Sequence, residues 1–207
     1  MISIVDYGIG NLGSITNMLK HIGVKSQIIS TPGELMKAGK IILPGVGSWD
    51  NGVKKLNDSG LLKALNLRVL NDKVPVLGIC LGMQLLLESS EEGSFPGLGW
   101  IAGENKKFDF SAEKFSHLHL RVPHMGWNVI ESNKASCLTN ELNGETRFYF
   151  VHSYHAVIKD PQDVLMTCNY GYTFTCAIQK DNIWGAQFHP EKSHKFGMAL
   201  MKKFAEL

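Results

Sequence analysis

The sequence predicts an α/β fold, a three-layer sandwich with a mostly parallel central sheet, and three observations support this prediction. Short β-branched runs alternate with longer amphipathic segments in the first half, which is the pattern of βαβ units around a parallel sheet. One of these runs, Val74 to Ile79, is almost wholly apolar and therefore indicates a strand buried on both faces. Hydrophobic residues make up 44% of the 207, enough for a single core, and we expect residues 1–207 to form one domain.

Composition and charge exclude several classes of function. The chain has 21 basic and 19 acidic residues, a net charge of +2, and no stripe of Lys and Arg that could follow a nucleic-acid backbone. It contains no run of 18 apolar residues and no basic leader with a small-residue cleavage site. Its four cysteines show no CxxC spacing. We therefore expect a cytoplasmic protein that binds neither nucleic acid nor membranes.

The first elements follow one another in the order strand, helix, strand, strand. Ile2 to Val5 is the first predicted strand, and the glycine-rich turn Gly8 to Asn11 leads into a helix that ends at Gly23. The apolar residues of this helix recur at three- and four-residue spacing: Ile15, Met18, Leu19 and Ile22. The sequence then predicts strands over Ser26 to Ile29 and Lys40 to Leu43.

A sharp loop and two helical stretches come next. The loop begins at Pro44, whose ring together with the glycines that follow stops the third strand. Helical patterns cover Asn51 to Leu56 and Leu61 to Leu70, and the apolar strand already described follows them.

From about Trp100 the pattern changes to short alternating strands. These predicted strands are Arg147 to Val151, Leu165 to Cys168, Phe174 to Ile178 and Ile183 to Gln187. We expect them to extend the same sheet as mixed or antiparallel additions. A closing helix is predicted from Glu191 onward, with Phe196, Leu200 and Phe204 on one face.

The segment Gly8 to Gly13 matches the GxGxxG pattern of dinucleotide-binding turns. That pattern also requires an acidic residue at the end of the second strand, where this chain has Ser30, Thr31 and Pro32. The match therefore favours a tight strand-to-helix turn, with a nucleotide-binding regulatory domain as an alternative.

Cys80 stands between two glycines where the buried strand turns into a helix predicted over Met83 to Glu88. This is the arrangement of a nucleophile elbow, with sulfur in place of oxygen. Gly78 and Gly82 carry no Cβ atoms that would collide in such a turn, so the thiol is raised above the sheet. A helix N-terminus next to a cysteine favours the reactive thiolate.

A base for this nucleophile is available near the end of the chain. His189 lies just past a predicted strand, at the sheet edge where the ends of parallel strands collect functional groups. Pro190 fixes the backbone, and Glu191 is placed to orient the imidazole. The pattern predicts a triad in the order Cys, His, Glu.

These motifs resemble the class I glutamine amidotransferases, triad enzymes that release ammonia from glutamine. Within that family the chain is similar to glutaminase subunits of imidazole glycerol phosphate synthases, and the resemblance covers nearly the whole chain. The motifs that carry it are Asp6 to Asn11, Pro44 to Gly47, Gly78 to Gln84, Pro123 to Asn128 and Phe150 to Tyr154. The resemblance implies a flavodoxin-like version of the predicted sandwich.

The resemblance also implies roles for individual residues. Cys80 would form a γ-glutamyl thioester, and His189, held by Glu191, would move the protons. The oxyanion would be bound by the backbone N–H of Leu81 and by one from the loop Gly45, Val46 and Gly47. The implied glutamine-binding residues are Gln84, Ser153 and Tyr154.

The remaining histidines carry no assigned role. His117 and His119 alternate with leucines, which favours the exposed face of a strand, and the sequence offers no further ligands for a metal there. His152 and His155 receive no function from the sequence. We expect neither a metal nor a cofactor.

The resemblance further implies a partner that uses the ammonia. This would be a (β/α)8-barrel cyclase that forms a heterodimer with the chain and makes imidazole glycerol phosphate in histidine biosynthesis. The implied interface residues are Asn11, Trp127 and Lys192, with a place in the core as the alternative for Trp127. Two further alternatives remain: a paralogous glutaminase that supplies sugar amidation in cell-surface polysaccharide synthesis, and a cysteine hydrolase or protease that acts alone.

Overall fold

The structure is a computed structural model that describes residues 1–115, 118–140 and 144–207. Within these ranges the α-helices are α1 (Leu12–His21), α2 (Pro32–Leu35), α3 (Trp49–Asp58), α4 (Leu62–Asn66), α5 (Leu81–Leu85) and α6 (His194–Glu206). The strands are β1 (Ile2–Val5), β2 (Ser26–Ile29), β3 (Ile41–Gly45), β4 (Val76–Cys80), β5 (Ser89–Ser90), β6 (Gly103–Lys107), β7 (His124–Ser132), β8 (Arg147–His152), β9 (Tyr154–Ile158), β10 (Val164–Tyr170), β11 (Tyr172–Lys180) and β12 (Ile183–Ala186).

One half of the sheet is parallel. Its strands lie in the order β2-β1-β3-β4-β12, and each neighbouring pair is parallel. In this register Gly45 stands opposite Cys80, and Ala186 stands opposite Ile79. The carboxyl ends of β3, β4 and β12 therefore meet at one edge of the sheet, which is where ligands bind in open α/β sheets.

Apart from the short parallel pair of β5 and β6, the other half is antiparallel, in agreement with the mixed or antiparallel strands expected there. The order continues β12-β11-β10-β7-β8, with antiparallel pairing throughout, and β9 pairs with both β11 and β6. The sequence analysis did not predict α2, β5, β6, β7 or β9. β7 contains Gly126 and exposed polar residues, so it carries only a weak strand pattern.

Helices cover both faces of the sheet, which confirms the predicted three-layer arrangement. Neighbouring residues of β1 point to opposite faces: Ile4 packs in the core cluster with α1 and α6, and Val5 packs in the cluster with α3, α4 and α5. This alternation is the period of a strand buried on both sides.

Several element ends differ from the sequence prediction. The helix predicted to run to Leu70 is α-helical only to Asn66 and continues as a π-helical turn, Leu67–Asn71. The elbow helix occupies Leu81–Leu85, earlier than predicted, because the turn is completed at Cys80 itself. The closing helix begins at His194, after a 3₁₀ turn at Pro190–Lys192, since the left-handed backbone of His194 interrupts helical continuity.

The predicted strand around His119 is wrong. That residue lies outside any strand and has φ +48°, a left-handed backbone that a strand does not allow. His117 lies outside the described residues. In the part of the chain that the structure describes, no helix is long and apolar enough to cross a membrane.

Candidate active site

The turn at Cys80 has the strained geometry of a nucleophile elbow. Cys80 is the last residue of β4 and has φ 54° and ψ −112°, an uncommon conformation for a residue with a Cβ atom. A Cβ atom on Gly82 would collide with the carbonyl oxygen of Leu43, and one on Gly78 would lie 2.7 Å from the carbonyl oxygen of Gly82. The flanking glycines are therefore required by close approach of the backbone.

His189 and Glu191 form a close, buried pair. Nδ1 of His189 lies 2.8 Å from Oε1 of Glu191, and both side chains are almost wholly buried. The backbone N–H of His189 donates to the carbonyl oxygen of Tyr149, and the Ser193 hydroxyl donates to the carbonyl oxygen of His189. These backbone contacts hold the segment after β12 in place.

Electrostatics at His189 favour the protonated imidazole. Burial by itself lowers the pKa of His189, but hydrogen bonds to the side chains of Cys80 and Glu191, together with their negative charge, raise it to about 9. His189 is thus paired with Glu191 on one side, and it lines the same cavity as the Cys80 thiol.

A cavity of about 370 Å³ opens beside the thiol, a size typical of small-molecule sites. Two of the predicted catalytic residues, Cys80 and His189, line it. Most of the residues predicted for the glutamine and oxyanion sites line it as well: Val46, Gly47, Leu81, Gln84, Ser153 and Tyr154. Gly45 lies beneath the cavity, where an added Cβ would come within 2.7 Å of the backbone nitrogen of Gly82. Separate stretches of sequence are thus brought to one place.

The residues predicted for a partner interface lie outside this cavity. Trp127 is 43% exposed on β7 and stacks on the ring of His194, with centroids 5.3 Å apart, so the core alternative for Trp127 is wrong. The Lys192 side chain is exposed, and its Nζ lies 5.8 Å from the ring centre of Tyr149. Asn11 is partly buried and precedes α1.

Sequence reasoning missed four polar residues at this site. The Tyr7 hydroxyl donates a 2.6 Å hydrogen bond to the carbonyl oxygen of Pro44, directly before the loop predicted to bind the oxyanion, and burial raises the pKa of Tyr7 far above its usual value. Glu92 and His152 line the cavity, and Gln187 is fully buried beneath it. The position of Tyr7 and Gln187 just past strand ends was an available signal, whereas nothing local marks Glu92.

The glycines of the GxGxxG match serve the turn itself. Gly8 and Gly10 have φ +88° and +122°, and an added Cβ on Gly10 would lie 3.0 Å from the Pro44 ring. The Gly8 N–H donates to Oδ1 of Asp6 within the turn. Backbone conformation and close packing thus explain Gly8 and Gly10 without a nucleotide.

Comparison with known proteins gives concordant matches over the full length. The family model "Glutamine amidotransferase class-I" matches residues 3–206. A Leptospira borgpetersenii protein named imidazole glycerol phosphate synthase subunit HisH is 49% identical over 207 residues, covering 100% of both chains. A Methanococcus maripaludis protein named imidazole glycerol phosphate synthase subunit HisH 2 is 51% identical, covering 99% of this chain and 98% of that one.

Solved structures share the fold at much lower sequence identity. The PurLQS structure from Thermotoga maritima has a TM-score of 0.74 at 16% identity and covers 99% of this chain and 97% of its own. The glutaminase domain of Trypanosoma brucei CTPS has a TM-score of 0.66 at 15% identity and covers 99% of this chain and 93% of its own. At these identities the likeness concerns the fold alone.

Proposed function

This chain belongs to the class I glutamine amidotransferase family, and from that premise we propose that it is the glutaminase subunit of an imidazole glycerol phosphate synthase. It hydrolyses glutamine to glutamate and ammonia and supplies the ammonia for histidine biosynthesis. The observation that carries the proposal is that Cys80 and His189 line one cavity while Glu191 contacts His189 from behind, in a chain whose full-length relatives bear that subunit's name.

In the first half of the reaction, Sγ of Cys80 attacks the side-chain amide carbon of glutamine. The C–N bond then breaks as His189 gives its proton to the leaving nitrogen, which departs as ammonia. A γ-glutamyl thioester remains on Cys80. The raised pKa of His189, about 9, keeps this proton available at neutral pH.

In the second half, His189 takes a proton from water as the oxygen attacks the thioester carbon. The C–S bond breaks, glutamate leaves, and the thiolate–imidazolium pair is restored. Glu191 orients the imidazole through Nδ1, so that the other ring nitrogen, Nε2, exchanges protons with the thiol and the water.

Two backbone N–H groups stabilise the oxyanion that forms in both halves. One belongs to Leu81, directly after the nucleophile, and the other belongs to the loop from Gly45 to Gly47. Gly45 stands opposite Cys80 in the sheet register, which brings this loop to the reacting carbon.

Polar groups around the cavity suit a free amino acid. Gln84, Ser153 and Tyr154 supply hydrogen bonds, and Glu92 is the acidic side chain among the described lining residues. A carboxylate there matches the α-ammonium group of glutamine. Glu92 is itself held in place because Oε2 accepts the backbone N–H of Trp49 at 2.8 Å.

The ammonia acceptor belongs to a partner subunit, which we place as a (β/α)8-barrel cyclase in a heterodimer with this chain. The word "subunit" in the names of the relatives supports a partner. Trp127, Lys192 and Asn11 form the proposed contact, because Trp127 presents an exposed aromatic ring and Lys192 an exposed charge.

The test is synthesis of imidazole glycerol phosphate by the complex with the cyclase, with glutamine or with ammonium salt as nitrogen source. We expect Cys80→Ala to abolish synthesis from glutamine and to retain synthesis from ammonium, since the cyclase needs the thiol only as a source of ammonia. Cys137→Ala, at another free cysteine, is the matched control and retains synthesis from both glutamine and ammonium. Wild-type glutamine use by Cys80→Ala, or equal loss with ammonium, contradicts the proposal. A chain that serves sugar amidation instead fails to support the cyclase with glutamine.

A further inference from the structure

Gln187 is a fully buried polar residue that the mechanism above does not use. It follows β12 directly, and its backbone N–H donates to the carbonyl oxygen of Cys176 at 2.9 Å, so β11 fixes its main chain. Its side chain contacts two residues of the site, Gln84 and Cys80. Since burying a primary amide is costly unless its groups are paired, these contacts determine where each end of the amide points.

The carbonyl oxygen of Tyr154 determines which way the neighbouring amides are turned, because it can only accept hydrogen bonds. It accepts Nε2–H of Gln84 at 3.1 Å and Nδ1–H of His152 at 2.8 Å. A flipped Gln84 amide would place two acceptor oxygens against each other. The NH₂ group of Gln84 therefore faces Tyr154.

The second N–H of the same Gln84 amide donates to Oε1 of Gln187 at 3.0 Å. With its oxygen used as an acceptor there, Gln187 turns its own NH₂ group to the other side. Nε2 of Gln187 lies 3.9 Å from Sγ of Cys80. One acceptor-only carbonyl thus sets the orientation of two side-chain amides and places a donor beside the sulfur.

This arrangement leaves Oε1 of Gln84 as the acceptor of that side chain. It has no hydrogen-bond partner among the residues that the structure describes, and Gln84 lines the cavity. An acceptor there can accept a hydrogen bond from the NH₂ group of a bound glutamine amide, and it repels the carboxylate of the product glutamate.

We propose that Gln187 is a positioning residue for the reaction: its oxygen fixes the Gln84 amide with the acceptor toward the substrate, and its NH₂ group stabilises the thiolate of Cys80. This inference rests on the proposed function for its substrate half. The thiolate half concerns the chain alone. Two substitutions separate the halves, because a glutamate at 187 keeps the acceptor but loses the donor, whereas a methionine of similar volume loses both.

The first measurement is the rate of Cys80 alkylation by iodoacetamide as a function of pH, read by mass spectrometry of the peptide that contains residue 80. We expect Gln187→Glu to move the midpoint of this profile upward by about one pH unit or more, since a carboxylate then faces the sulfur. Gln187→Met also moves it upward, by a smaller amount. Gln179→Met on β11 is the matched control for changing a glutamine of the sheet and leaves the midpoint unchanged.

The second measurement is glutaminase activity in the complex with the cyclase. We expect Gln187→Met to raise KM for glutamine about tenfold, the size of effect typical when a buried donor loses its acceptor. Gln187→Glu retains that acceptor, so its KM stays within about twofold of wild type while kcat falls at neutral pH.

These outcomes distinguish positioning from a merely structural role. A structural role predicts lower melting temperatures with an unchanged alkylation midpoint and unchanged KM in the folded protein, and that result overturns the proposal. If Gln187→Glu does not fold, wild-type values for both the midpoint and KM in Gln187→Met overturn it. A wild-type complex that does not hydrolyse glutamine refutes the proposed function, and the alkylation profile still tests the contact between Gln187 and Cys80.

Discussion

Nδ1 of His124 lies 3.0 Å from Nε2 of His152, across two paired strands and inside a cluster of aromatic rings. The rings around the pair are Phe108, Phe150, Tyr170 and Phe174. Because Nδ1 of His152 must donate to the carbonyl oxygen of Tyr154, its Nε2 accepts from His124, and both imidazoles are neutral.

The histidine pair predicts loss of stability in acid. Burial lowers the pKa of His124 to about 4 and that of His152 to about 3, against about 6.5 in an unfolded chain. Both groups are therefore neutral in the folded protein where the unfolded chain takes up protons, and their contribution, complete above pH 6.5, is lost as the pH falls toward 3. We expect the free energy of unfolding, measured with urea, to fall steadily between pH 6.5 and 4.

His124→Asn tests this assignment, because asparagine places an N–H near the position of Nδ1 but does not titrate. We expect its unfolding free energy to depend less on pH over the same range. His21→Asn, on the surface of α1, is the control and keeps the wild-type dependence. An unchanged slope in His124→Asn means that other groups cause the acid sensitivity.

The contact between these histidines shows why part of the site was beyond sequence analysis. The elbow could be predicted because Gly78, Cys80 and Gly82 are close in sequence and their spacing has a local steric cause. His124 and His152 meet only because β7 pairs with β8, and β7 has too little apolar alternation to be recognised. Long-range pairing of a weakly patterned strand leaves no local signal.

The hydrogen bond from Tyr7 to Pro44 predicts an effect on the oxyanion loop. Tyr7→Phe removes the hydroxyl that donates to the Pro44 carbonyl at 2.6 Å and leaves a buried acceptor without that partner. We expect a loss of about 1–2 kcal/mol in unfolding free energy, together with a lower kcat and little change in KM. Tyr170→Phe, at a tyrosine whose hydroxyl bonds the Arg121 carbonyl, is the control for loss of a hydroxyl and keeps kcat. A wild-type kcat in Tyr7→Phe would remove the loop-anchoring role.

We expect replacement of the carboxylate beside His189 to change both kcat and the pKa of His189. Glu191→Gln removes a negative charge 2.8 Å from Nδ1, so the pKa of His189 falls from its value of about 9. We expect kcat to fall by less than in His189→Ala, which loses general acid and base catalysis worth about 10²- to 10⁴-fold. Glutaminase kinetics of the complex with the cyclase measure this, and a larger loss in Glu191→Gln than in His189→Ala contradicts an orienting role.

The same substitution changes stability at alkaline pH. The folded-state pKa of His189 is raised above its unfolded value of about 6.5, so its contribution is complete below pH 6.5 and is lost as the pH rises through about 9. In Glu191→Gln the folded-state pKa is lower, and the decline in unfolding free energy over this range becomes shallower. NMR titration of the His189 ring gives the pKa directly, and an unchanged value contradicts the assignment of the shift to Glu191.

If Trp127 contacts the partner as we propose, its removal weakens binding to the proposed cyclase. We expect Trp127→Ala with Lys192→Ala to raise the dissociation constant by about 30-fold or more, the loss typical of an aromatic anchor at the centre of an interface. Ile28→Ala, at an exposed apolar residue of the edge strand β2, is the matched control. Calorimetric titration that finds wild-type affinity in the double variant excludes this face as the interface.

The loop from Gly45 to Gly47, which we propose binds the oxyanion, predicts control of glutamine hydrolysis by the partner. Gly47 has φ +103°, a backbone conformation that residues with a Cβ atom rarely adopt. The neighbouring Val46 is 40% exposed and lines the cavity. Rotation of the Val46–Gly47 peptide exchanges an N–H for a carbonyl at the oxyanion position, and loss of one donor costs about 10²- to 10³-fold in rate. We expect slow turnover in the free chain, faster turnover in the complex, and the fastest turnover when the cyclase binds its own substrate.

The two glycines of this loop are required for different physical reasons, and that difference provides a control experiment. A Cβ on Gly45 would press on Leu81 and on the Tyr7 hydroxyl, so Gly45→Ala distorts the site and lowers turnover equally in all three states. At Gly47 the nearest atom to an added Cβ is 4.0 Å away, and the constraint there is the backbone φ alone. Gly47→Ala therefore reduces the ratio of turnover between the activated complex and the free chain. Equal turnover of the wild type in all three states is incompatible with a switch, since a ligand shifts a conformational equilibrium only by binding one state more tightly than the other.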